Sequence, residues 1–206
     1  GLAAQGALAI EVVDGNSSLG ITGRNGITTW FVDGRPDNVF ISNYYLRLGD
    51  TGNESPLSEL LAAPVVEQSG NTARLLFSGS ALSAALEYTL VGGPAGSNRS
   101  GFAKRLTLTN TGPDALSVNL FDYNDFDIKF DQLAQADQTE VIGPGALVTR
   151  SASQPLSLTT VVTAPDHYEV APFFDLYSSF FIDLDGPTQL SDTPAPGALF
   201  PRPASD

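Results

Sequence analysis

From Leu82 to Leu90 every second residue is apolar (Leu82, Ala84, Leu86, Tyr88, Leu90), while Ser83, Ala85, Glu87 and Thr89 lie between them. A period of two puts the first set on one face of a strand and the second on the other, so the segment reads as a strand with one buried face. The same alternation returns between clusters of Gly, Pro, Asn and Asp at 7–13, 27–32, 38–48, 65–68, 73–78, 82–91, 102–110, 116–130, 147–151, 156–163 and 173–183. The one helical signal is 55–62, where Ser55 stands as a cap and Pro56 at the first helical position. About eleven strands at this spacing predict an all-β chain, a large two-sheet antiparallel β-sandwich with at most one short helix.

Residues 92–101 are rich in glycine and sit between two alternating runs, since Leu106 and Leu108 again oppose Arg105, Thr107 and Thr109. That predicts a long hairpin with a mobile tip. The glycines do not end in Gly-Lys-Ser/Thr and do not open a helix, so they are not a phosphate cradle. With no internal repeat and no linker before the Pro-rich stretch 193–206, residues 1–192 are expected to form one domain, whose first strand, 1–13, is open to exchange with a neighbour.

Charge and sulfur narrow the function classes. Ten Lys and Arg against 23 Asp and Glu give a net charge of −13. Such a surface repels nucleic acid and anionic membranes and attracts divalent cations. With no Cys, disulfides, thiolate metal sites and thiol nucleophiles are excluded. No apolar run reaches the roughly 18 residues of a membrane span. The chain also has no Met, so Gly1 is expected to be a processed start. Low Lys content with abundant Thr, Ser, Asn and Gly fits an extracellular or cell-surface protein.

The strand at 116–130 breaks the pattern. One face reads Leu116, Val118, Leu120, Asp122, Asn124, Phe126, Ile128, Phe130, so two polar groups interrupt an apolar stripe. A buried carboxylate needs a partner, because even a neutral polar group costs roughly 2–7 kcal/mol to bury unpaired. Asp122, Asn124, Asp125 and Asp127 have the oxygen chemistry of a calcium site, without the glycine and glutamate spacing of an EF-hand loop. Alternation would divide them between two faces; the simpler reading is a solvated strand end over Tyr123 and Phe126. The acidic turn Asp183-Leu184-Asp185-Gly186 is explained by turn chemistry.

Catalytic constellations are sparse. His167 is the one histidine, too few for a three-histidine zinc site, and no Gly-x-Ser-x-Gly elbow occurs. Glu59, Glu67, Glu87, Asp122 and Asp125 include pairs that could hydrolyse glycosides, but sequence sets no separation between them. Trp30, Tyr44, Tyr45, Tyr88, Tyr123, Tyr168 and Tyr177 could stack on sugar rings, though strand positions favour packing. At the two ends, the small apolar leader carries Leu2, Leu8, Ile10 and Val12, and the Pro-interrupted tail carries Leu199 and Phe200. Either could dock on a neighbour by strand addition or groove binding, and head-to-tail docking that does not close makes a filament. Both ends are expected to be held, by their own domain or by a neighbour.

The stretch Phe102-Ala-Lys-Arg-Leu-Thr-Leu-Thr-Asn-Thr-Gly112, followed by Leu120-Phe-Asp-Tyr-Asn-Asp-Phe-Asp-Ile128, resembles segments of exported bacterial surface and matrix proteins of the exosortase-sorted (PEP-CTERM) class. The resemblance covers about a quarter of the chain, and the sorting tail has no counterpart here. It implies export and a non-enzymatic role. The expectation is therefore a structural subunit of a surface or matrix filament, a homo-polymer built by head-to-tail strand or tail exchange. The alternative is a calcium-dependent carbohydrate-binding module, with glycans as partners and calcium as its one cofactor.

Overall fold

The computed structural model describes residues 9–34, 37–128, 138–143, 145–151, 157–170, 187–188 and 190. Among them the chain is all-β, with thirteen strands in three sheets and a single four-residue helix. The strands β1 (Ala9–Asp14), β2 (Ser17–Thr22), β3 (Gly26–Val32), β4 (Ile41–Leu48) and β5 (Ser55–Pro56) precede α1 (Leu57–Leu60). Then come β6 (Val65–Ser69), β7 (Thr72–Phe77), β8 (Leu82–Gly92), β9 (Ser100–Asn110) and β10 (Val118–Asp125). Three shorter strands follow, β11 (Gln138–Gly143), β12 (Ala146–Arg150) and β13 (Ser157–Val161). The first sheet runs β1-β2-β3-β4-β10 with β5 added to β4, the second β6-β7-β8-β9, and the third β11-β12-β13. The expected two sheets of about eleven strands thus become three sheets of thirteen.

Among the described residues all pairings are antiparallel except the brief one between β3 and β4, where Gly26 and Ile27 lie beside Ser42. The alternating residues of β8 face inward as read, and Leu86, Tyr88 and Leu90 are almost fully buried. They join Leu75 and Phe77 from the second sheet and Val12, Leu19, Ile21, Trp30 and Leu46 from the first in one apolar cluster. Leu158 of β13 packs against the same cluster, which brings the third sheet to the common core. Each fully buried side chain of this size contributes about 1.5–3 kcal/mol through the area it removes from water.

The outer faces of the two larger sheets differ. Across the second sheet Glu67, Arg74, Glu87 and Arg105 stand in one cross-strand row of alternating charge, the polar-out face of a sheet wetted on one side. In the first sheet β4 is buried from Ile41 to Arg47 on both faces. Ile41, Tyr45 and Tyr123 form a second small apolar cluster on its outer side.

Several sequence expectations need correction. β2 and β11 fall in stretches read as connections, because Ser17, Ser18 and Gly20 dilute the alternation of Leu19 and Ile21. The helix is only one turn long, and Ser55 pairs with Leu46 as strand instead of capping it. β10 ends at Asp125, short of the expected 130. The hairpin tip, expected to be mobile, is tied down by three polar side chains. Asp33, at φ 53°, accepts hydrogen bonds from the Gly96 and Asn98 amides at 2.6 and 2.7 Å. Asp14 accepts from the Gly92 amide and Asn16 from the Gly93 amide, each at 2.8 Å. The expected strand 173–183, the turn at 183–186 and the tail 193–206 lie outside the described residues.

This clasp brings backbone against backbone, so it requires glycine. A Cβ on Gly92 would meet the Asp14 carbonyl oxygen at 1.8 Å, whereas one on Gly101, in the same hairpin, meets nothing within 4 Å. Gly92→Ala is expected to cost at least ~2 kcal/mol of unfolding free energy, and Gly101→Ala to stay within about 0.5 kcal/mol of wild type, both measured by urea denaturation.

Candidate functional site

The inward stripe of β9 contains a lysine. Phe102, Lys104, Leu106 and Leu108 share one face, and β8 presents Tyr88 directly opposite Lys104. The next strand, β10, turns Asp122 and Asn124 inward, and the antiparallel register sets Asp122 beside Tyr44 and Asn124 beside Ser42 of β4. Residues from four strands and both larger sheets therefore meet in the interior.

The geometry is that of a closed polar network. The Lys104 ammonium donates to Asp122 Oδ1 at 2.5 Å and to Asn124 Oδ1 at 3.0 Å. It also lies 4.6 Å from the centroid of the Tyr44 ring, a cation–π contact. Ser42 Oγ donates to Asn124 Oδ1 at 2.6 Å, and Asn124 Nδ2 donates to Asp122 Oδ1 at 3.1 Å. Only 7% of the Lys104 side chain and 22% of that of Asp122 reach solvent. Burial pushes the lysine below its ordinary pKa, and the Asp122 charge and hydrogen bond push back. Tyr44 and Tyr88 are held well above the ordinary phenol value, chiefly by burial and secondarily by nearby groups that include Asp122. The buried Tyr88 hydroxyl makes no hydrogen bond among the described residues.

On the outer face of the same sheet a second buried pair forms. Arg47 Nη1 donates to Glu54 Oε1 at 2.5 Å, with the Glu54 side chain wholly buried. Thr188 completes it, its amide and hydroxyl donating to the two Glu54 oxygens at 3.0 and 2.9 Å while its carbonyl accepts from Arg47. This latch ties Thr188 to β4 and to Glu54, the residue just ahead of β5.

The four residues proposed from sequence as calcium ligands are divided as alternation requires. Asp122 and Asn124 face inward and are engaged by the Lys104 ammonium. Asp125 is on the opposite face of β10, and Asp127 lies beyond the strand end. Asp125 is pushed up to about 7 by burial and by Asp127; Asp127 is itself raised by burial and by Asp37. Among the described residues no three His, Cys, Asp or Glu side chains are grouped to hold a metal ion. Of the assembly residues, Ile10 and Val12 point into the chain's own core, while Leu2, Leu8, Leu199 and Phe200 lie outside the described residues. Sequence reasoning missed Lys104, Ser42 and the Arg47–Glu54 pair as members of polar networks. For Lys104 the signal was present, since carrying the Leu108, Leu106 alternation back two residues puts it inward. Comparison with family models, with curated proteins and with solved structures returned no match.

Asp125 sets a pH dependence. Its folded pKa of about 7 exceeds the ordinary 3.8, so between those values the folded state binds the extra proton, and stability falls as pH rises through the window. Thermal unfolding is expected to show a higher Tm at pH 5 than at pH 7.5, by the equivalent of ~2 kcal/mol after allowance for solvent screening. Asp125→Asn should flatten this slope.

Proposed function

We propose that the chain is a non-enzymatic structural subunit of an extracellular surface or matrix filament, homo-polymerising head to tail by exchange of a terminal strand or tail. The observation that carries this reading is how the chain's ionic groups are used. Lys104 with Asp122, and Arg47 with Glu54, are buried between strands where they tie the fold together. In this reading the two larger sheets are the two halves of one sandwich, and the third sheet is an appendage to its core.

Edge strands support the assembly mode. β1 ends the first sheet and directly follows the apolar leader, and β6 ends the second sheet with Val65 two-thirds exposed. Edges of this kind accept an added strand through backbone hydrogen bonds, with alternate side chains setting the register. Ile10 and Val12 already serve the chain's own core, so the exchanged part is the leader ahead of β1 or the Pro-rich tail. Negative-stain electron microscopy of the purified chain is expected to show regular filaments that disappear when residues 1–6 or 194–206 are deleted. Monodisperse particles at every concentration, or filaments that survive both deletions, would contradict the proposal.

A second reading, a calcium-dependent carbohydrate-binding module, is favoured by one observation. Asp125 and Asp127 are raised first by burial and then by a neighbouring carboxylate, Asp127 for the one and Asp37 for the other, a local excess of negative charge that a divalent cation would relieve. If it holds, EDTA lowers the Tm and retention on immobilised glycans together. An unchanged Tm with and without calcium removes it.

A further inference from the structure

We propose that Lys104 and Asn124 are joined by an intramolecular amide bond that the folded chain forms by itself. The inference goes beyond the filament reading and does not rest on it. It starts from the arrangement of three side chains in the interior. The Lys104 nitrogen is in contact with the Asn124 carboxamide oxygen at 3.0 Å. A single oxygen of Asp122 touches both the lysine nitrogen and the amide nitrogen of Asn124, the group that would leave. Ser42 Oγ donates to the carboxamide oxygen at 2.6 Å, where negative charge would gather during attack. Nucleophile, acceptor, proton carrier and oxyanion donor are thus all in place, on strands whose register fixes them.

The chemistry balances without any added reactant. In this largely buried site Lys104 passes a proton to Asp122, leaving a neutral amine, the nucleophilic form of the side chain. Its lone pair attacks Asn124 Cγ, and the carboxamide oxygen takes the negative charge facing the Ser42 hydroxyl. Asp122 then delivers its proton to the former amide nitrogen and removes one from the attacking nitrogen. The carbonyl re-forms, the bond from Cγ to the old nitrogen breaks, and ammonia leaves. One amine and one carboxamide have become a secondary amide and ammonia, with Asp122 left protonated. No oxidation or reduction occurs.

The bond would join β9 of the second sheet to β10 of the first, a covalent tie between sheets in a chain that has no cysteine to supply one. Exclusion of water protects such a buried amide from hydrolysis and gives it the permanence of a disulfide without its redox sensitivity.

Intact-mass spectrometry of the denatured wild-type protein tests the proposal directly. The expected mass is lower than that of the sequence by one molecule of ammonia. Trypsin is expected to leave the bond after Lys104 uncut and to release residues 100–105 linked to 106–129. Lys104→Met and Asp122→Ala should each restore the full sequence mass. The wild-type measurement stands alone if either variant fails to fold. Full sequence mass in folded wild-type protein would overturn the proposal. Loss of water, with the junction mapped to Asp122, would overturn the assignment of Asn124 as acceptor.

Discussion

Moving an ammonium group out of water and into the space between two sheets costs several kcal/mol, and the chain offsets that cost at one point. Around Lys104 it gathers a carboxylate, a carboxamide and an aromatic face, drawn from β4 and β10 on one side and opposite Tyr88 of β8 on the other. Because the partners sit in different sheets, the cation can be satisfied only when both sheets are in register. A shift of β10 by one residue would carry Asp122 and Asn124 to the outer face and leave the lysine buried without a partner. The apolar cluster supplies the driving force for burial, but it is tolerant of small slips. The polar network is not, so it selects one alignment of the sheets.

The same device recurs at two other places. Arg47, Glu54 and Thr188 fasten a C-terminal residue to the outer face of β4, with every Glu54 oxygen engaged. Asp14, Asn16 and Asp33 fasten the β8–β9 tip to the β1–β2 turn and to the end of β3. Each joins segments far apart in sequence, the work that disulfides perform in many exported domains. A chain without cysteine is well served by such ties. This is the physical ground on which the filament proposal and the amide-bond proposal both stand, though neither depends on the other.

Much of the fold was legible because period-two alternation is a local property. β8, β9, β6 and β7 follow the apolar stripes of Leu82–Leu90, Leu106–Leu108, Val65 and Leu75 to within a residue or two. β2 escaped because its two inward apolar residues, Leu19 and Ile21, are flanked by serines and glycine, and only its neighbours β1 and β3 make it a strand. The anomaly at Asp122 and Asn124 was visible too, as was the need for a partner. Its resolution was not, because the partner is 18 residues away on a strand of another sheet. A carboxylate in an apolar stripe reads from sequence as a solvated strand end or, alternatively, as a calcium ligand, and the chain answers it with a lysine that breaks the stripe of β9. Two complementary exceptions to two alternating patterns are the trace that such a pair leaves in a sequence.

The measurement that bears most directly on this account is a double-mutant cycle on Lys104→Met and Asp122→Leu, read by urea unfolding. Each single variant is expected to lose ~3–5 kcal/mol, because it strands one buried polar partner. Combined, the two replacements are expected to cost clearly less than the sum of the singles, by at least ~2 kcal/mol, since an apolar pair then fills the space. Single costs within ~1 kcal/mol of wild type that simply add would contradict the claim that this pair holds the two sheets in register.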